Sequence, residues 1–369
     1  MDSSDLYIKT PTHDCCSLRN LLRTAMSRTG LLLGYGNPLL DISVNGNQEF
    51  LDKYDLKANN AILAEDKHIP LYDEMVKTFK DSVEYVPGGA TLNALRVAQW
   101  LLGNNEATTF FGCIGKDDKF GSILVDKSKE AGVNVQFQYT EKEATGTCAV
   151  ICTGNARSLV ANLAAANCFT ESHLDNENNW SLVEKAQYYY CAGFPLTVCP
   201  AAMLRMAKHA NEKNKTFCMN LSAPFLCSFF KQPMLEILPY VDILFGNETE
   251  AAEFAKANDL ETTDIKEIAL KVAAMEKTNK SRSRMVIFTQ GDLAAIVAQD
   301  GKITEYPATS VNSTDIVDTN GAGDAFVGGF LAQLVQGKPI SESMRCGHWA
   351  GNLIIQRPGC TFPEKPSFA

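Results

Sequence analysis

From residue 31 onward, short and almost continuously apolar runs alternate with stretches of helical periodicity. LLLGYG (31–36), ATTFFGCIG (107–115), QYYYCAG (187–193), KTFCMNLS (215–222), VDILFG (241–246) and RMVIFTQG (284–291) read as strands buried on both faces. TLNALRVAQWLLG (91–103) reads as a helix, and a second helix around 118–131 stops at Gly132. Each run but the last leads into a helical stretch. That order predicts an α/β fold with a mostly parallel central sheet and helices on both faces. With 45% hydrophobic and 21% charged residues, the chain has ample material for such a core.

One region departs from this rhythm. VNVQFQYT (133–140) alternates apolar and polar residues, and GTCAVICTGNARSLVANL (146–163) reads as two strands around a turn at Gly154-Asn155. Similar half-polar material lies near 41–63. These segments predict a small sheet standing off the main one, a lid built from about 42–63 and 133–163 on a core of residues 30–369. Residues 1–29 predict a poorly ordered leader. Arg19, Arg23 and Arg28 suggest a transit peptide, but Asp2, Asp5 and Asp14 spoil its acid-poor pattern.

Charge and cysteine usage narrow the function. A net charge of -9 lacks the basic face that nucleic acid or an acidic membrane needs. No apolar run reaches the length of a membrane span. The twelve cysteines are scattered from Cys15 to Cys360 without a CxxC pair, and the five histidines are isolated. That pattern predicts free, largely buried thiols in a reducing intracellular compartment, without a structural zinc site.

DTNGAGDAFVGGFLAQLV (318–335) carries the most chemistry. Gly321, Ala322 and Gly323 stand directly before a long helix. Small residues there let backbone N–H groups converge, and the helix start adds roughly half a positive charge. Asp324 sits in the first turn, a place that favours a carboxylate whether or not it does chemistry. Asp318, Thr319 and Asn320 crowd the same turn. An anion hole with one base aimed into it suits phosphoryl transfer to a hydroxyl. Other phosphate motifs are missing: there is no GxxxxGK[ST], and Gly34-x-Gly36 lacks the third glycine of a dinucleotide fingerprint.

PGGATLN (87–93) and DTNGAGDAF (318–326) resemble the two signatures of the ribokinase-like (pfkB) carbohydrate kinases. GNPLLDI (36–42), NLSAPF (220–225), FGNETEA (245–251) and GCTFPEKP (359–366) resemble its branch that phosphorylates adenosine, and the likeness runs over about 31–369. It implies a purine-salvage transfer from ATP to the adenosine 5′-hydroxyl, with Mg²⁺ and K⁺ as cations. It also implies a monomer in the cytoplasm or nucleus. In the resemblance Asp324 is the base, Gly321, Ala322 and Gly323 form the anion hole, and the lid residue Arg157 reaches the phosphates. Asn37, Asp41, Gly88, Gly89 and Asn93 surround the ribose. Cys148, Leu159 and Leu163 wall the adenine, and Phe194 stacks on it. Asn247 with Glu250 organises Mg²⁺ through waters. Thr289, Gly291, His348 and Asn352 meet the nucleotide, and Asp318 takes a monovalent cation.

Each assignment has a plainer reading. Asn247 and Glu250 also fit a helix-capping box, Phe194 a core aromatic, Arg157 a solvated turn, and Asp318 a loop fastener. Ala61 and Pro195 depart from the family pattern at the adenine edge. The rival functions are a kinase of another nucleoside or of a sugar, and a non-catalytic nucleoside sensor.

Overall fold

The computed structural model describes residues 29–368 except 59, 104, 105 and 155. The leader expected over 1–29 therefore lies outside the described residues apart from Thr29. The strands, in chain order, are β1 (Leu32–Tyr35), β2 (Leu39–Asn45), β3 (Ala61–Leu63), β4 (Glu84–Gly88), β5 (Thr108–Gly115), β6 (Asn134–Thr140) and β7 (Thr147–Thr153). They continue with β8 (Ala156–Asn162), β9 (Tyr188–Cys191), β10 (Thr216–Asn220), β11 (Ile243–Asn247), β12 (Met285–Gln290), β13 (Leu293–Gln299) and β14 (Lys302–Tyr306). Nine form one sheet in the order β14-β13-β12-β11-β10-β9-β1-β5-β6. All neighbours in it are parallel except the β12–β13 and β13–β14 pairs, which are antiparallel.

The near-continuous apolar strands work as the pleat requires, because successive residues enter opposite cores. Leu32, Phe110, Tyr190, Phe245 and Ile287 face one layer, with Leu92, Leu95 and Phe330 from helices Ala90–Leu102 and Ala322–Leu334. Leu33, Phe111, Tyr189, Leu244 and Phe288 face the other, with Met203, Met206 and Phe254 from helices Pro200–Glu212 and Glu248–Ala257. Helix Ala322–Leu334 lies between Ala90–Leu102 and Ile340–Ile355 at very close range. A Cβ on Gly328 would stand 2.5 Å from the Ala94 carbonyl, and one on Gly329 2.6 Å from that of Cys346. Of this chain's described residues, ten cysteines are free and no helix is long and apolar enough to cross a membrane.

The second sheet has the order β3-β8-β7-β2-β4. Two boundaries differ from the lid expected over 42–63 and 133–163. Residues 134–140 are not in it; as β6 they form the edge of the large sheet, parallel to β5. Their alternation records one apolar face, Val135 and Phe137, against the core. The polar face is covered by a polar segment, with Thr170 N–H donating to Gln138 Oε1 and His173 Nε2 bonded to the Gln136 carbonyl. Alternation reports that a strand has two unlike faces, and says nothing about which sheet it joins. Conversely β4, not expected in the lid, pairs antiparallel with β2 at its edge. EYVPG conceals this strand because Pro and Gly are rare inside strands and tolerated at edges.

Pairing in the small sheet sorts its two faces. Leu40, Ile42 and Val44 point into a buried cluster with Phe50, Leu51, Leu71 and Met75. Asp41 and Ser43 point the other way. Their partners across β7 are Cys148 and Val150, and Val150 in turn faces Leu159 on β8. This second face lies over the glycine turn that begins helix Ala322–Leu334.

Candidate active site

Gly321 caps that helix with φ of 78°, and Asp324 stands in its first turn. Helix Ala90–Leu102 starts beside it at Gly89, whose φ is 97°. Two helix N-termini thus converge, which favours negative charge between them. Asn93, one turn into the second helix, donates from Nδ2 to Asp324 Oδ2 at 3.0 Å. Burial raises the Asp324 carboxyl to about 7; the Asn93 hydrogen bond opposes the shift and the nearby Glu250 charge adds to it.

Asp41 is brought to the same place by strand pairing. Its neighbour across β4 is Val86, and Leu39 pairs with Gly88. A Cβ at Gly88 would stand 2.5 Å from the Asp41 carboxylate, so only glycine leaves that carboxylate its position. Burial raises Asp41 to about 7, Arg96 opposes the shift, and Asp324 and Asp318 add to it. Asn37 follows β1 with a buried Oδ1 that bonds nothing among the described residues.

Asp41, Asn93, Arg157, Leu159, Asp318 and Gly321 line one cavity of about 60 Å³. This is well below the roughly 300–1,000 Å³ of a ligand cleft. Arg157 closes it: its guanidinium meets Asp318 Oδ2 at 3.1 Å, tying the small sheet to the glycine turn. Asp318 also accepts from the Asn320 N–H and Nδ2 at Oδ1, and from the Gly359 N–H at Oδ2. Through these contacts Asp318 fastens the glycine turn to Gly359 and to the small sheet. Cys148 is buried on the same sheet face. Leu163 and Phe194 do not line the cavity. Leu163 lies just beyond the end of β8. Phe194, after β9, is half-buried beside Phe225 with ring centroids 6.4 Å apart.

A second cavity, about 290 Å³, opens on the other side of the glycine turn. Thr289, Gly291, His348 and Asn352 line it together with Ala322 and Gly323. His348 packs edge-on to Phe326 and keeps a buried Nε2 without a partner among the described residues. Asn352 donates to the Thr309 carbonyl at 2.7 Å.

Asn247 and Glu250 form the capping box that their spacing allowed. Asn247 Oδ1 accepts from the Glu250 N–H at 2.8 Å, and Glu250 Oε2 accepts from the Asn247 N–H at 3.0 Å. Among the described residues no lysine or arginine pairs with Glu250, and burial raises its carboxyl to about 7. No cluster of three metal-ligating side chains exists among the described residues. A lone buried carboxylate beside an amide fits a cation that keeps its water shell, as Mg²⁺ does.

Sequence reasoning missed Ser43, Glu84, Val86 and Val150 of the first cavity, and Arg96 beneath it. Only Arg96 left a signal: a cation embedded among Leu92, Leu95 and Val97.

The model of the family described as pfkB family carbohydrate kinase matches residues 48–367. The chain is 53% identical over 339 residues to adenosine kinase 1 of Arabidopsis thaliana, covering 92% of this chain and 98% of that one. It is 45% identical over 335 residues to the adenosine kinase of Schizosaccharomyces pombe, with 90% and 96% covered. A crystal structure of Anopheles gambiae adenosine kinase in complex with P1,P4-di(adenosine-5) tetraphosphate superimposes with a TM-score of 0.84. That pair is 48% identical, with 92% of this chain and 99% of the other covered. The Schistosoma mansoni adenosine kinase in complex with 2-fluoroadenosine gives 0.82 at 38% identity, with 91% and 98% covered.

Proposed function

The chain belongs to the pfkB family of carbohydrate kinases, and on that premise we propose that it transfers the γ-phosphoryl group of ATP to the 5′-hydroxyl of adenosine, yielding AMP and ADP. The observation that carries this reading is the pair of cavities on opposite sides of one glycine turn. An acceptor held beside Asp41 and a donor held beside His348 would meet across Gly321–Gly323. The adenosine kinases named above support the choice of nucleoside over free sugar, as does the apolar Leu159 on the lid face.

Asp41, Asn37 and the backbone of Gly88 and Gly89 hold the ribose. The nucleoside enters once Arg157 leaves Asp318; the freed guanidinium then turns to the transferred phosphate. Asp324 orients the 5′-hydroxyl and takes its proton late, as a loose phosphoryl-transfer transition state permits. Backbone donors at 321–323 bind the charge on the transferred group. Thr289, Gly291, His348 and Asn352 hold the nucleotide. Mg²⁺, when bound, neutralises phosphate charge; Asn247 and Glu250 would hold it through waters.

Asn93→Ala isolates the proton-transfer group. Without the Asn93 hydrogen bond the Asp324 pKa rises further, so the ionised carboxylate is lost at a higher pH than before. The low-pH limb of the kcat profile is expected to move upward with little change in the KM for ATP. An unmoved limb refutes the assignment.

A substrate panel tests the function itself. ADP release with adenosine is expected to exceed that with inosine, guanosine or ribose by at least ~10²-fold in kcat/KM. Ribose as the best acceptor would make this a sugar kinase, and no turnover with any of them would favour a nucleoside sensor.

A further inference from the structure

Helix Ala90–Leu102 is buried at nine successive residues, Thr91 to Gln99, and Arg96 is the cation among them. The residue is 6% exposed, and no carboxylate among the described residues lies within ion-pair distance of it. Burying an unpaired charge is costly unless several hydrogen bonds hold it. Here Nη1 donates to the Pro87 carbonyl at 2.7 Å, to the Cys360 carbonyl at 3.2 Å and to Asn93 Oδ1 at 3.5 Å. The guanidinium lies 5.3 Å from the Phe362 ring centroid, and Phe362 stacks on Trp100 at 5.0 Å.

Asn93 and Cys360 line the acceptor cavity from two segments, and Pro87 follows Val86, which lines it from a third. Pro87 precedes Gly88, the residue whose missing Cβ makes room for Asp41. Asn93 holds Asp324. Cys360 follows Gly359, whose N–H binds Asp318. A cation used only to fill space would not gather these three segments.

Resting on the assignment of Asp41 to the ribose and Asp324 to proton transfer, we propose that Arg96 is a positioning residue for the phosphoryl transfer. It fixes Asp41 to Asn93, and through Asn93 to Asp324, without touching either substrate.

Electrostatics agrees with the geometry. Of the groups acting on Asp41, burial, Asp324 and Asp318 raise its pKa, and Arg96 lowers it. Glu84 on β4 and Arg157 on β8 also face that cavity, and the Cys148 thiol on β7 stays neutral because burial raises it. Removing the Arg96 charge therefore raises the Asp41 pKa, and the carboxylate that accepts from the ribose hydroxyls is lost at a higher pH.

The test uses the full chain with Arg96→Gln and Arg96→Lys, measuring kcat and both KM values across about pH 5–9, with thermal melts as a folding check. For Arg96→Gln the low-pH limb of kcat/KM for adenosine is expected to move upward. On that limb the loss at a fixed pH is about tenfold for each pH unit the limb moves, while the KM for ATP stays within about twofold of wild type. Arg96→Lys keeps the charge and is expected to restore the limb, with a smaller loss from its poorer fork. An unmoved limb in the Gln variant, or Lys behaving as Gln does, overturns the proposal. If Arg96→Gln does not fold, Arg96→Lys decides: a loss confined to adenosine sustains the proposal, and wild-type kinetics or equal loss for both substrates refutes it. Asp41→Asn, measured in parallel, separates the two layers. An unchanged adenosine KM there sinks the ribose assignment, whereas a raised KM with an unmoved Arg96→Gln limb sinks the role of Arg96 alone.

Discussion

Asp324→Asn is expected to lower kcat by about 10²–10⁴ while leaving the adenosine KM within a few-fold of wild type. The amide keeps the shape of the carboxylate and can still accept from Asn93 Nδ2, so the hydroxyl is bound but its proton has no acceptor. The same substitution makes a second, independent prediction about stability. The Asp324 carboxyl is raised in the folded chain from 3.8 to about 7. A raised carboxyl favours folding below its unfolded value, and that contribution is lost as the pH rises through the folded value. Above about pH 7 the buried charge costs stability, and the neutral amide does not. Thermal melts at mildly alkaline pH should place the variant no lower than wild type. A slow enzyme that also melts early would mean that position 324 serves folding and not chemistry. Sites that bury charge for function commonly give up stability in this way.

Gly89→Ala has the other large expected effect. With φ of 97° the residue occupies backbone space that side chains rarely adopt, and a Cβ would stand 2.2 Å from the Asn37 carbonyl oxygen. The strain alone costs about 1–3 kcal/mol. Its relief must displace either Asn37 or the start of the helix carrying Asn93 and Arg96. Misplacement near 1 Å can cost on the order of 10²-fold in turnover. We expect a loss of about that size in kcat/KM for adenosine, beyond what the drop in stability explains. Gly103→Ala is the control. Gly103 also has positive φ, 64°, but a Cβ there would meet nothing within 4 Å. It should lower the melting temperature, with a cost of about 1–2 kcal/mol, and leave kinetics alone. Equal kinetic damage from both substitutions would contradict the positioning role.

What could be read from the sequence was whatever is encoded locally. The apolar runs at 31–36, 107–115 and 241–246 announced strands with two covered faces. Gly321–Gly323 announced the start of the helix Ala322–Leu334, and the three-residue spacing of Asn247 and Glu250 announced their mutual cap. Contacts between distant segments left no such trace. Asn93 and Asp324 are 231 residues apart, and Arg96 and Cys360 are 264 apart. Arg157 reads as a turn residue until the hairpin folds over Asp318. Strand β6 reads as part of the lid because alternation identifies a face and not a sheet. Strand β4 went unseen because Pro87 and Gly88 are there for Arg96 and Asp41, not for strand propensity. Functional requirements overrode local preference at these points, and reading by propensity fails where that happens.

In the proposed reaction one carboxylate faces a sugar alcohol while the glycine turn faces the phosphate. A crystal structure of the chain with adenosine and a non-hydrolysable ATP analogue measures this arrangement directly. An Asp324 oxygen is expected within about 2.6–3.2 Å of the nucleoside 5′-oxygen. The γ-phosphate is expected against the main-chain nitrogens of 321–323, with Arg157 released from Asp318. A closed, doubly occupied site in which Asp324 stays on Asn93 and turns from the 5′-oxygen would contradict it.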